Sequence, residues 1–261
     1  MFIGGFELID PLILILAALI IAVAGVLISV GTILLPIGGA PAAMATATGL
    51  ATGTEMMLAG SGITGLLMAA ALYNQPGWII ILNAGISSAI MMSVVMLIAN
   101  VLIVLGKGIP PALAMRDKDP ITKEDVKQYV TPGTVGHGVP TACFLDGMVG
   151  AFIAGVGGSI TFLTVFKLAT FKMVLGKEQI NILEIFSPLV GIAPHQVIIP
   201  IALAVLVSLG LFFINANITA YMIKGVIEGW WDPKFKDLPK AAITCFIVTL
   251  VFGVLVSLIA L

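Results

Sequence analysis

The chain has 261 residues, of which 60% are hydrophobic and only 10% charged, with a formal net charge of −1 and a mean hydropathy of +1.19. Soluble domains carry about 25% charged residues, and a globule leaves much of its surface in water, so this composition excludes a water-soluble fold. The near-zero net charge gives no basic surface for nucleic acid, and apolar runs without strand-like alternation exclude a membrane β-barrel. What remains is an all-α polytopic membrane protein, a single transmembrane domain over residues 1–261 with about six spans.

The first span is expected at 11–34. Pro11 occupies a first-turn position, the stretch Leu12–Leu35 carries no charge, and Pro36 ends it. Glu7 and Asp10 precede it without a Lys or Arg, which favours a permanent span over a cleaved leader. Residues 36–49, PIGGAPAAMATATG, read as a turn leading into a helix, with a re-entrant segment as the alternative. The second span, 43–72, contains Glu55 and is glycine-rich, with Gly49-x-x-x-Gly53 allowing close helix contact. Trp78 looks like an interfacial anchor at the start of the third span, 78–105, where Asn83 and Asn100 are polar enough to bond across a helix interface.

A polar loop follows at 107–139. Within it, Pro120–Asp125 reads as a turn into a short helix, with Thr122 and Asp125 as its capping-box-like start. The fourth span, 141–168, is again glycine-rich and contains Asp146. An interfacial loop with a short amphipathic helix over Glu178–Phe186 leads to the fifth span, 195–222, which carries Asn215 and Asn217. A charged loop with Trp230 and Trp231 then precedes the sixth span, 241–261.

Alternating sides place nine of the twelve Lys and Arg residues together: Lys107, Arg116, Lys118, Lys123, Lys127, Lys224, Lys234, Lys236 and Lys240. Lys167, Lys172 and Lys177 fall on the other side. The positive-inside rule therefore puts the 107–139 loop in the cytoplasm and both termini outside. An internal echo links Gly39-Ala-Pro41 before the Glu55 helix to Gly138-Val-Pro140 before the Asp146 helix. Gly60-Ser-Gly-Ile-Thr64 likewise resembles Gly157-Gly-Ser-Ile-Thr161.

Two carboxylates stand out, because an ionisable group at membrane depth is expensive and usually functional. Thr48 and Thr52 are seven and three residues before Glu55 and so share its helical face. Together they offer hard oxygens for a small cation such as sodium. The same glutamate could instead carry a proton, meet a partner's Lys or Arg, or stay neutral and bond helices together. Asp146 has Ala142 and Gly150 one turn away on each side, a thin face. It is either the mouth of a polar path or a headgroup-level acid favoured by the helix dipole. Asn100 and Asn215 are further ion-path candidates that could equally be interhelical glue. Cys143 and Cys245 read as buried thiols, and two scattered histidines give no zinc or haem spacing. The cluster Met56, Met57, Met91, Met92 and Met96 reads as packing. No phosphate loop and no Ser-His-Asp grouping is present, so no catalytic residue is assigned.

At two segments the chain is more specific. The run PIGGAPAAMATATGLATGTEMMLAGSGITGL closely resembles the integral membrane D subunit of tetrahydromethanopterin S-methyltransferase. YVTPGTVGHGVPTACF followed by GAFIAGVGG resembles the second signature region of that family. The resemblance implies a subunit of a complex in the cell membrane of methanogenic archaea. That complex moves a methyl group from methyl-tetrahydromethanopterin to coenzyme M through a corrinoid on another subunit, and drives sodium outward. It implies a non-catalytic role beside sister membrane subunits C and E, with sodium as the transported ion. No residue role is carried over to Glu55 or Asp146. A structural scaffold without an ion path and an independent cation transporter are the other readings.

Overall fold

A computed structural model describes residues 11–35, 61–107, 117–118, 121–123, 125, 139, 141–176, 181–222 and 233–260. Six helices are described: α1 (Pro11–Ile33), α2 (Ile63–Ala71), α3 (Gly77–Lys107), α4 (Thr141–Met173), α5 (Ile198–Met222) and α6 (Leu238–Ala260). All but α2 are long and apolar enough to cross a membrane. No strand forms among the described residues. The molecule is an all-α polytopic membrane protein, as a hydrocarbon solvent requires when every backbone group must be satisfied within its own segment.

α4 is the hub. It packs on α1, α2, α3 and α5, and its glycines make this possible. A Cβ on Gly150 would lie 2.6 Å from the Gly31 carbonyl oxygen and 2.8 Å from Leu34 Cβ, so α1 and α4 touch backbone to backbone. On another face, a Cβ on Gly155 would lie 2.9 Å from the Ala84 carbonyl oxygen of α3. Lipid tails are as apolar as leucine, so helices in a bilayer associate through such close van der Waals packing. The glycines of α4 are thus used for packing inside this chain.

Helix directions follow from the contacts. Gly31 meets Gly150 while Ile13 and Ala17 cluster with Leu168 and Phe171, so α1 and α4 are antiparallel. α2 runs parallel to α4: Gly62 and Gly158 both lie against the Phe212 ring, and Tyr73 meets Phe166 edge-on, with centroids 6.2 Å apart. The two helices that carry the later halves of the sequence echo therefore lie side by side. Buried aromatics (Phe162, Phe166 and Phe212) fill the remaining core volume.

Several local expectations change. α4 continues to Met173, five residues beyond the expected end, and carries Lys167 inside it, fully buried. In place of an amphipathic helix over 178–186, the described part is a short 3-10 turn, Ile182–Phe186, capped by Asn181, whose side chain accepts from the Leu183 amide. Only Ile185 of that turn is buried, because five residues are too few to build an apolar face. Thr122 does not open a helix with Asp125 at its third position. Asp125 instead forms an antiparallel bridge with Lys118, and Lys123 between them adopts φ 65°. That left-handed residue closes a tight turn and is incompatible with a continuing helix. Asn83 bonds the Ile79 carbonyl of its own helix at 2.8 Å rather than a neighbouring helix.

Candidate functional site

Glu55, Thr52 and Thr48 lie outside the described residues, as does the face they are expected to share. Asp146 is described, and it is 6% exposed. It comes five residues after Thr141, past the first turn of α4, whose first turn has no acid. It is therefore neither a first-turn acid nor a solvent-exposed one, but a buried carboxyl group. Helical spacing puts it between Cys143 and Gly150 on one face. Cys143 clusters with Leu35, and Gly150 meets Gly31, so this face looks onto the C-terminal end of α1. An ionised carboxylate removed from water is stable only with partners that replace its hydration.

Asn100 uses its amide as a backbone mimic. Its Nδ2 donates to the Val139 carbonyl at 2.9 Å, and its Oδ1 accepts from the Val139 amide at 2.6 Å. This pairing pins the approach to α4 against α3, which makes Asn100 an anchor of the loop end. Met92 and Met96 are fully buried in an apolar cluster, as packing residues are.

Asn215 sits in the polar centre of the bundle. Its Oδ1 accepts from Thr249 Oγ1 of α6 at 2.8 Å, and its Nδ2 donates to the Leu211 carbonyl at 2.9 Å. One turn on, Thr219 Oγ1 lies 2.7 Å from Ser29 Oγ of α1 and 2.8 Å from the Asn215 carbonyl oxygen. Cys245 Sγ completes the group, 3.5 Å from Thr219 Oγ1 and 3.6 Å from the Asn215 carbonyl oxygen. All five residues are fully buried. Asn217, on another face of α5, is only half-buried, as its two-residue offset requires. Sequence reading finds Asn215, and Cys245 as a buried thiol, but not Ser29, Thr219 or Thr249. Hydroxyls and thiols are common in membrane helices, where they usually bond the preceding turn, as Thr164 and Thr170 do here. Only the three-dimensional crossing separates the two kinds.

Near the opposite end of α4 from Asp146, the ammonium of Lys167 donates to the Ser187 carbonyl at 2.5 Å. It ties the Ile182–Phe186 turn to the helix, while a Cβ at Gly77 would fall 2.8 Å from Phe186 Cα on the turn's other side. Both cysteines are buried free thiols. Among the described residues no three His, Cys, Asp or Glu side chains converge on a metal-sized space.

Comparison with known proteins places the chain in a family. A family model for the D subunit of tetrahydromethanopterin S-methyltransferase matches residues 13–249. The D subunit of that enzyme from Methanopyrus kandleri is 43% identical over 223 residues, 85% of either chain. Its counterpart in Methanocaldococcus jannaschii is 40% identical over 230 residues, 86% of this chain and 87% of its own. The counterpart in Methanosarcina barkeri is 36% identical over 219 residues, 83% of each. With nearly its whole membrane bundle inside the match, the chain belongs to the family of tetrahydromethanopterin S-methyltransferase D subunits.

Proposed function

We propose that this chain is a non-catalytic, sodium-conducting membrane subunit of the methyl-tetrahydromethanopterin:coenzyme M methyltransferase complex. In this reading methyl transfer takes place on partner subunits, one of which carries the corrinoid. This chain, beside the sister subunits C and E, carries part of the path by which the released free energy moves sodium out of the cell. The observation that carries the reading is the burial of Asp146 inside a membrane-length helix, where an ionisable group is expensive and marks an ion or proton path by default. Glu55, with Thr52 and Thr48, is the second proposed oxygen group, and Asn215 marks a third. A subunit of this kind needs no nucleophile–base pair of its own.

In the proposed orientation the 107–139 loop and the end of the bundle bearing Asp146 face the cytoplasm, and both termini face outward. The loop is then the surface on which the methyl-transfer machinery acts. Coupling requires that machinery to favour one of two ion-binding states of the bundle.

The test is replacement of Glu55 by Gln and Asp146 by Asn in the assembled complex. Sodium dependence of methyl transfer and sodium uptake by vesicles are then measured. The proposed role requires a raised sodium requirement, or lost uptake, in at least one variant that still assembles. Unchanged sodium dependence in both would refute it. The competing scaffold role, favoured by the internal use of the α4 glycines, requires that these variants alter assembly alone.

A further inference from the structure

We propose that Lys167 is a fixed-charge barrier that keeps external sodium from running back through this chain. The proposal rests on the sodium-conducting reading above and assigns the outward end of that path. Lys167 is fully buried, and every residue of α4 from Thr161 to Phe171 is buried with it, so this half of the helix runs through the middle of the bundle. Thr161, Thr164 and Thr170 each bond a carbonyl one turn back in α4 itself. The Lys167 ammonium instead reaches out of the helix, to the Ser187 carbonyl.

The charge exceeds what that bond needs. A tie to one carbonyl takes one N–H, and a neutral amide supplies it without the cost of taking an ammonium out of water. Among the described residues that carbonyl is the one polar partner of Lys167, and no carboxylate offsets its charge. An ionisable group held inside a membrane helix at such a cost points to a use for the charge itself.

Placement gives that use. Asp146 and Lys167, both buried and both on α4, are 21 residues apart. At about 1.5 Å per residue they stand roughly 31 Å apart along the helix. This matches the thickness of a bilayer's hydrocarbon core, about 30 Å. One helix thus carries an acid at one face of the membrane and a base at the other. The carboxyl group favours a cation at the first face, and the ammonium disfavours one at the second.

The Ile182–Phe186 turn holds the ammonium in place. Ile185 is fully buried in the core cluster with Phe166 and Val197, and the turn packs on α4, α1 and α3. A cation brought within about 10 Å of the ammonium, at an effective dielectric of about 20, is disfavoured more than about tenfold. Uncoupled back-flow meets that barrier with the ammonium in place. Export is coupled to methyl transfer, and a charge tied by a single hydrogen bond to a short turn is one that coupling can displace.

The test uses the whole complex in vesicles, with a sodium gradient and no methyl donor, and follows the passive flux of radioactive sodium. Lys167→Met removes the charge and suits a buried site, Lys167→Gln removes the charge but keeps a donor for the Ser187 carbonyl, and Lys167→Arg keeps the charge. The flux is expected to rise about tenfold in Lys167→Met and Lys167→Gln and to stay near that of the unmodified complex in Lys167→Arg. The same low flux in all variants that assemble would overturn the barrier. So would loss of assembly in Lys167→Met and Lys167→Gln alike while Lys167→Arg assembles, because the charge would then serve the fold. Adding Asp146→Asn to Lys167→Met separates this claim from the reading beneath it. Abolition of the flux in the double variant supports both, whereas a fast flux that persists there overturns the path through Asp146. A tight Lys167→Met complex, in which Asp146→Asn still lowers the ratio of sodium moved to methyl transferred, overturns the barrier alone.

Discussion

Helix α1 has two working faces, and they are built on opposite principles. Toward α4 it presents Ala24, Gly31 and the backbone beside them, meeting Gly150, Ala154 and Gly157 in a dry, close-packed seam. Toward α5 and α6 it presents Gly25 and Ser29, meeting Thr249 and Thr219 in a hydrogen-bonded one. Both use small residues to bring backbones close. The first seam is held chiefly by backbone-to-backbone packing. The second seam is held by side-chain hydrogen bonds that cross between helices. The contrast teaches that small residues serve two ends: they let backbones touch, and they open room for hydroxyls to bond across helices.

Substitutions can break this contrast in order of size. The largest effect is expected from Gly31→Leu or Gly150→Leu, where the side chain would meet backbone on the facing helix. Overpacking of that kind costs about 3 kcal/mol or more, so the assembled complex should be lost from detergent extracts in a chromatographic assay. Lys167→Glu comes next, since it turns a donor to the Ser187 carbonyl into a buried acceptor facing an acceptor. A destabilisation of roughly 3 kcal/mol, read as a lowered melting temperature, is expected. Asn100→Leu removes both bonds to Val139 and leaves a buried backbone pair. About 1–2 kcal/mol should be lost, with faster amide exchange at Val139 as the local sign. Asn83→Ala should be smallest, within about 0.5 kcal/mol, because its amide serves only its own helix. If Asn83→Ala proved as damaging as Asn100→Leu, the distinction between intrahelical and bridging polar groups would fail.

Much of the architecture is legible from the chain because lipid imposes a simple rule: a span must be long and apolar. Pro11, Pro36 and the charged loops mark the ends that matter. Misreadings cluster where a polar residue is hidden by tertiary structure. Lys167 reads as a flank because a cation usually ends a span, yet a carbonyl from a distant turn lets it lie inside α4. Asp146 reads equally as a boundary acid, because its burial comes from packing between helices far apart in sequence, as where Gly150 of its face meets Gly31 of α1. Asn100 and Asn215 look alike in sequence. One proves an anchor for Val139 and the other the centre of a polar node, and the difference lies in which helix crosses opposite each. The family resemblance is legible in two segments, and the known relatives extend it to most of the chain.

The most direct test of sodium conduction through this subunit is the ratio of sodium ions moved to methyl groups transferred. It is measured in vesicles containing the complex, unmodified and with Asp146→Asn. The expected result is continued methyl transfer with a clearly lower ratio in the variant. An unchanged ratio, with normal assembly and normal sodium affinity, would contradict a role for this buried carboxyl group in the ion path.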